Sequence, residues 1–129
     1  MTKLFFIAIG GSFGAVLRYF TSELSLRLLG RGFPYGTLII NVTGSFLIGI
    51  FWDIFERNIV HINYRSFIMI GTLGAFTTFS TYSLESFSLI KNGDIKLAIL
   101  NILSSNVTCL MAVFAGAALS SYVSAMLNK

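Results

Sequence analysis

Three sets of polar and aromatic side chains recur at helical spacing in a chain that is otherwise apolar. Thr37, Asn41 and Ser45 lie four residues apart and so form one stripe on a helix. Phe76, Phe79, Tyr82 and Glu85 step by three, a ladder of aromatic rings leading to a carboxylate. Asn101, Ser105, Thr108 and Cys109 fall largely on one helix face that continues to Ala112. The chemistry common to these tracks is hydrogen-bond donation. The Asn41 amide has two N–H groups and each Ser or Thr hydroxyl has a rotatable donor, while aromatic ring edges carry partial positive charge. A path lined in this way suits a small, hard anion that must exchange its water for hydrogen bonds. Arg18 and the net charge of +4 add an attracting field.

Each of these residues also has a plainer reading. Asn41 can glue two helices together, the rings can be packing, and the hydroxyls can bond back to their own helix carbonyls. Arg18 can snorkel or pair with Glu23, Glu85 can be solvated near a loop, and Cys109 can be a small apolar filler. The convergence of three tracks favours a lined path over any one of these.

The elements that must carry the tracks follow from composition. Of 129 residues, 55% are hydrophobic and 11% charged, against about 25% charged in a soluble domain. At roughly 20 residues per crossing, the length allows four membrane helices with short connections and one membrane domain over residues 1–129. The spans expected are 3–28, 37–55, 65–90 and 95–121, separated by "GRGFPYG", by "ERN" and the residues after it, and by the turn "KNGD". Trp52 is placed as an interfacial anchor. The first apolar stretch has no clear cleavage site and reads as a retained helix. One cysteine and one histidine exclude a disulfide or a zinc site within the chain.

The third span contains "GTLGAFTTFSTYS" at 71–83, too polar and glycine-rich for lipid. It predicts a helix broken near its middle, since broken membrane helices aim N-terminal ends at anions and freed carbonyls at cations. Lys and Arg divide evenly between the two sides: Lys3, Arg57, Arg65 and Lys129 against Arg27, Arg31, Lys91 and Lys96, with Arg18 inside the membrane. Because an excess of positive charge normally orients a membrane protein, the tie predicts insertion both ways and antiparallel pairing. Small residues at Gly10/Gly14, Gly11/Ala15, Ser45/Gly49 and Ala112/Gly116 mark places where helices can approach closely.

The chain resembles the Fluc-type (CrcB-like) bacterial fluoride channels. The residues that carry the resemblance are "GAVLRY" at 14–19, "GTLIINVTGSFLIG" at 36–49, "GTLGAFTTFSTYSLE" at 71–85, and the overall length. The resemblance implies an all-α antiparallel, dual-topology homodimer in the bacterial plasma (inner) membrane, with two fluoride pores and a structural sodium ion at its centre. Such a channel exports fluoride passively and confers fluoride resistance. Protonated HF crosses membranes and dissociates inside, so a leak for the anion lowers internal fluoride. Carried onto this sequence, the resemblance makes Asn41 the pore asparagine, with Thr37 one turn away. Phe79 is the first ring of a phenylalanine pair, and Tyr82 stands where the second phenylalanine is usual. Thr78, Ser80 and Thr81 are hydroxyls at the break, Glu85 is the carboxylate of the outer polar track, and Ser105 is a fourth-span hydroxyl. Arg18 is structural or vestibular. The backbone carbonyls of Gly74 and Thr77 hold the sodium. Cys109 stands where another hydroxyl is expected.

A small proton-coupled multidrug exporter is the nearest alternative of similar size. It needs a carboxylate deep in the first span, and residues 4–22 contain none. An enzyme is disfavoured because Glu85 has no evident catalytic partner, and a nucleic-acid partner has no feature to support it.

Overall fold

The computed structural model describes residues 1–127, and Lys129, counted above in the charge balance, lies outside the described residues. Among the described residues the chain is helical throughout. Helix α1 spans Thr2–Leu29 and α2 spans Tyr35–Arg57. The third span, Ile62–Lys91, is composite. A short α3 (Ile62–Arg65) runs into a π-helical segment, Ser66–Leu73, then α4 (Gly74–Phe76), and after a break α5 (Phe79–Lys91). Helix α6 covers Ile95–Leu127. Four stretches, ending at Leu29, Arg57, Lys91 and Leu127, are long and apolar enough to cross a membrane. These four stretches overlap the expected spans, and the fourth helix runs beyond 121.

Two close helix contacts organise the bundle. Helix α2 packs most extensively on α6, and α1 on the π-helical segment. Both contacts depend on missing side chains. A Cβ at Gly49 would overlap the carbonyl of Val113, and one at Gly116 would overlap the carbonyl of Phe46. On the other side, Gly10 and Gly14 meet the carbonyls of Phe67 and Thr72. Backbones in such contact gain dispersion energy that lipid cannot supply. The Gly11/Ala15 pair is different, because nothing lies within 4 Å of a Cβ built at Gly11. That side of α1 is free of intrachain packing.

The ends of the bundle are tied by polar groups. At one end Asp53 Oδ1 accepts from Arg57 Nε and from Ser121 Oγ, each at 3.0 Å, and Arg57 also donates to Ser121. These bonds join the ends of α2 and α6. Nearby, Arg65 lies 5.7 Å over the ring of Trp52, a cation–π contact at the expected interfacial anchor. At the other end Gly30, with φ of 76°, closes α1 through its N–H to Leu26 O. The left-handed conformation there favours glycine. Glu23 pairs with Arg27 at 3.1 Å. The pairing of Glu23 with Arg18 considered from sequence is therefore not made, because Arg27 lies one helical turn away on the same face.

The break lies at Thr77 and Thr78, whose φ/ψ of −73/158° and −152/113° are extended. The Thr78 hydroxyl accepts from Thr81 N at 3.2 Å and so caps α5. Two extended residues destroy the step of three across the break. Phe76 is buried beside Gly44 of α2, whereas Phe79 opens α5 and is 77% exposed. The aromatic ladder thus reduces to Phe79 and Tyr82.

Candidate functional site

The break takes the backbone of Thr78 out of the helical ladder, and Asn41, on the second turn of α2, meets it from outside. Its Oδ1 accepts from Thr78 N at 2.8 Å, and its Nδ2 donates to Thr78 O at 3.0 Å. One side chain thereby satisfies both main-chain groups of a residue that has left the helix, which buried backbone requires. In an unbroken helix the Thr78 amide would bond to the Gly74 carbonyl. Its diversion to Asn41 frees that carbonyl. The amide and hydroxyl of Thr77 both donate to Leu73 O, each at 3.0 Å.

A cavity of about 360 Å³ opens at this point. It gathers residues from three elements: Asn41 and Ser45 of α2, Phe79 and Tyr82 of α5, and Ser105, Asn106 and Cys109 of α6. Gly74, Thr77 and Thr78 of the break also line it. Nine residues singled out in the sequence therefore share one cavity: Asn41, Ser45, Gly74, Thr77, Thr78, Phe79, Tyr82, Ser105 and Cys109. The N-terminal end of α5 faces the same region, with Phe79 as its first residue. The first amides of a helix have no intrahelical acceptor and carry partial positive charge. Phe79 and Tyr82 lie against each other, their ring centroids 5.3 Å apart at 50°.

Thr37 and Glu85 lie elsewhere. The Thr37 hydroxyl donates to Glu85 Oε1 at 2.7 Å, and both line a second cavity of about 490 Å³ together with Arg31 and Asp94. Glu85 is neither simply solvated nor part of the first cavity, because α2 and α5 meet there and bury its second oxygen, Oε2, without a partner. The two cavities lie along α2 one turn apart, at Asn41 and at Thr37. Ser80 and Thr81 are exposed on the first turn of α5. They belong to the hydroxyl group around Thr78, at 3.3 and 3.0 Å from its Oγ1. Arg18 is half-buried on α1 and lines neither cavity.

The fourth-span track is partly revised. Ser105 is buried and its hydroxyl donates to Asn101 Oδ1 at 3.4 Å. Asn101 is fully buried and donates to Ser86 Oγ at 3.0 Å. Thr108 leaves the track: it is exposed and donates to its own helix at Ser104 O, 2.6 Å away. Asn106 was missed by the sequence reading. Its Nδ2 donates to the Tyr82 hydroxyl at 3.0 Å. The signal that could have found it was a second amide five residues from Asn101 and next to Ser105. Among the described residues no cluster of three His, Cys, Asp or Glu side chains could hold a metal.

With this geometry in hand, relatives are informative. The CrcB-like protein family (Camphor Resistance) matches residues 5–117. The chain is 46% identical over 116 residues to a protein from Shewanella amazonensis named fluoride-specific ion channel FluC, covering 90% of this chain and 94% of that one. A protein of the same name from Parabacteroides distasonis is 42% identical over 128 residues, covering 99% and 100%. Another from Agrobacterium fabrum is 44% identical over 120 residues, covering 92% and 96%.

Proposed function

The chain belongs to the CrcB-like family, and from that premise we propose that it is a fluoride-specific ion channel, a multi-pass membrane protein and not an enzyme. The observation that carries this reading is the meeting of Asn41, Phe79, Tyr82 and Ser105 on one cavity at a broken helix. Fluoride pays heavily for dehydration, so its path needs donors that replace water. Asn41 has two amide N–H groups and spends one on Thr78 O, leaving the second for the ion. The exposed Phe79 edge and the free amides at the start of α5 extend the donor set, and Ser105, whose proton goes to Asn101, lines the cavity beside them. The Ser80 and Thr81 hydroxyls add donors at the break, Thr37 and Glu85 line the second cavity as a hydrogen-bonded pair, and Arg18 acts from α1 on the field or the bundle.

The working unit in this reading is an antiparallel homodimer with two pores, inserted in both orientations in the bacterial inner membrane. Supporting it are the balanced positive charge, the exposure of Phe79 on an open cavity, and the unpacked face of α1 at Gly11. Sodium fits the break: the Gly74 carbonyl has lost its helical donor to Asn41, and such freed carbonyls are hard oxygen ligands. Gly74 and Thr77 would hold the ion through their main-chain oxygens, and it would supply positive charge and cross-chain rigidity. Flux is passive, down the electrochemical gradient of fluoride, and lowers fluoride in the cytoplasm.

The test is anion efflux from liposomes that contain the purified protein. Fluoride should leave far faster than from empty vesicles, and chloride should not. Equal fluoride efflux from both, or movement of cationic drugs instead, would reject the reading and favour the multidrug-exporter class.

A further inference from the structure

Tyr82 is held by α6 at its tip, where its phenolic oxygen accepts from Asn106 Nδ2 at 3.0 Å. Its main-chain carbonyl accepts from Ser86 Oγ of its own helix at 2.9 Å, and that oxygen accepts in turn from Asn101 Nδ2 of α6 at 3.0 Å. Tyr82 is buried to 9% exposure.

The sense of the Asn106 bond matters. The same Nδ2 also donates to Ile102 O at 2.7 Å. Turning the amide over would set its oxygen against that carbonyl, so the nitrogen is the atom that faces Tyr82. A nitrogen of this kind only donates, and the phenol therefore serves as acceptor in this pair. Its own proton is not used there, and no acceptor for it occurs among the described residues. Both side chains line the cavity shared with Asn41 and Ser105. Accepting a hydrogen bond polarises a hydroxyl and strengthens it as a donor.

We propose that the Tyr82 hydroxyl, held by Asn106, donates a hydrogen bond to the anion in the cavity, which makes Asn106 a positioning residue for ion recognition. This rests on the fluoride-channel reading and deepens it. A ring at this position without a hydroxyl offers the ion only its electropositive edge. Here the edge and a full O–H donor coexist on one residue, and the amide of α6 decides where that donor points.

The experiment is initial fluoride efflux from liposomes over a range of fluoride concentrations. Tyr82→Phe removes only the hydroxyl, and Asn106→Leu removes the orienting donor at similar volume, with Asn106→Ala as the replacement should the leucine variant fail to elute as folded protein. Each single substitution should raise the half-saturating fluoride concentration about ten-fold or more, the scale of one hydrogen bond to a charged group. The double variant should show no further rise, because Asn106 acts through the hydroxyl. Wild-type half-saturation in Tyr82→Phe overturns the proposal. So does an Asn106 effect that persists undiminished in the Tyr82→Phe background. Wild-type protein that carries no fluoride overturns the channel reading together with it, whereas wild-type flux with unresponsive variants overturns the assignment of Tyr82 and Asn106 alone.

Discussion

Asn41 grips both the N–H and the C=O of Thr78, at 2.8 and 3.0 Å. This pair of bonds does for a broken helix what the next helical turn would have done, and it fastens α5 to α2 at the position where the cavity opens. Structural glue and pore donor, alternatives in the sequence, are therefore compatible in one amide. One N–H serves the backbone and the other remains for an ion.

Removing that amide should damage flux and stability together. Asn41→Ala leaves the buried N–H of Thr78 without a partner, at a cost of about 1–3 kcal/mol, and removes the second bond to its carbonyl. We expect fluoride flux to fall by an order of magnitude or more and the thermal midpoint in detergent to drop. Flux equal to wild type would remove Asn41 from the pore.

Phe79 should separate the two effects. Its side chain is 77% exposed in the single chain, so Phe79→Ile takes little from the fold of a protomer. It does take away a ring edge from the cavity. Flux should fall by about tenfold while the gel-filtration profile stays that of the wild type. A variant that conducts normally would show that the ring edge is not on the path.

The glycines predict opposite outcomes by position. Gly49→Val puts a branched side chain where even a Cβ overlaps the Val113 carbonyl, so α2 and α6 must separate. Loss of monodisperse protein is expected. Gly11→Ala meets nothing within 4 Å of its Cβ and replaces glycine with a better helix former, so protomer stability should hold or rise. Equal tolerance at the two sites would contradict the packing described above.

Dual topology can be read from a single labelled turn. With Cys109→Ser removing the one native thiol, Asn92→Cys places a new one in the exposed turn between α5 and α6. An impermeant thiol reagent applied from either side of the membrane should label about half of the protein, as the tie in positive charge requires. Labelling from one side only would defeat the antiparallel assembly.

Much of this was legible in the residues themselves. The four spans followed from apolar run length, and the third-span break from Gly71, Gly74 and the hydroxyls after them, since such a stretch cannot remain an ordinary lipid-facing helix. The register across the break was not legible. Phe76 and Phe79 look in step only if the helix continues, and the two extended residues at Thr77 and Thr78 turn them to different surroundings. Asn106 was likewise hidden, because its partner Tyr82 lies 24 positions away and on another helix.

The sequence by itself determined that this chain lives in a membrane, which segments cross it, and which residue types can satisfy a dehydrated anion, because hydropathy, charge and helical period are local properties. Tertiary structure alone decided how those residues divide. It sent Thr37 to Glu85, Asn41 to Thr78 and Asn106 to Tyr82, and it turned Thr108 away. Each of those outcomes depends on which helix faces which at a separation of a few ångströms, and no local property of the sequence records that.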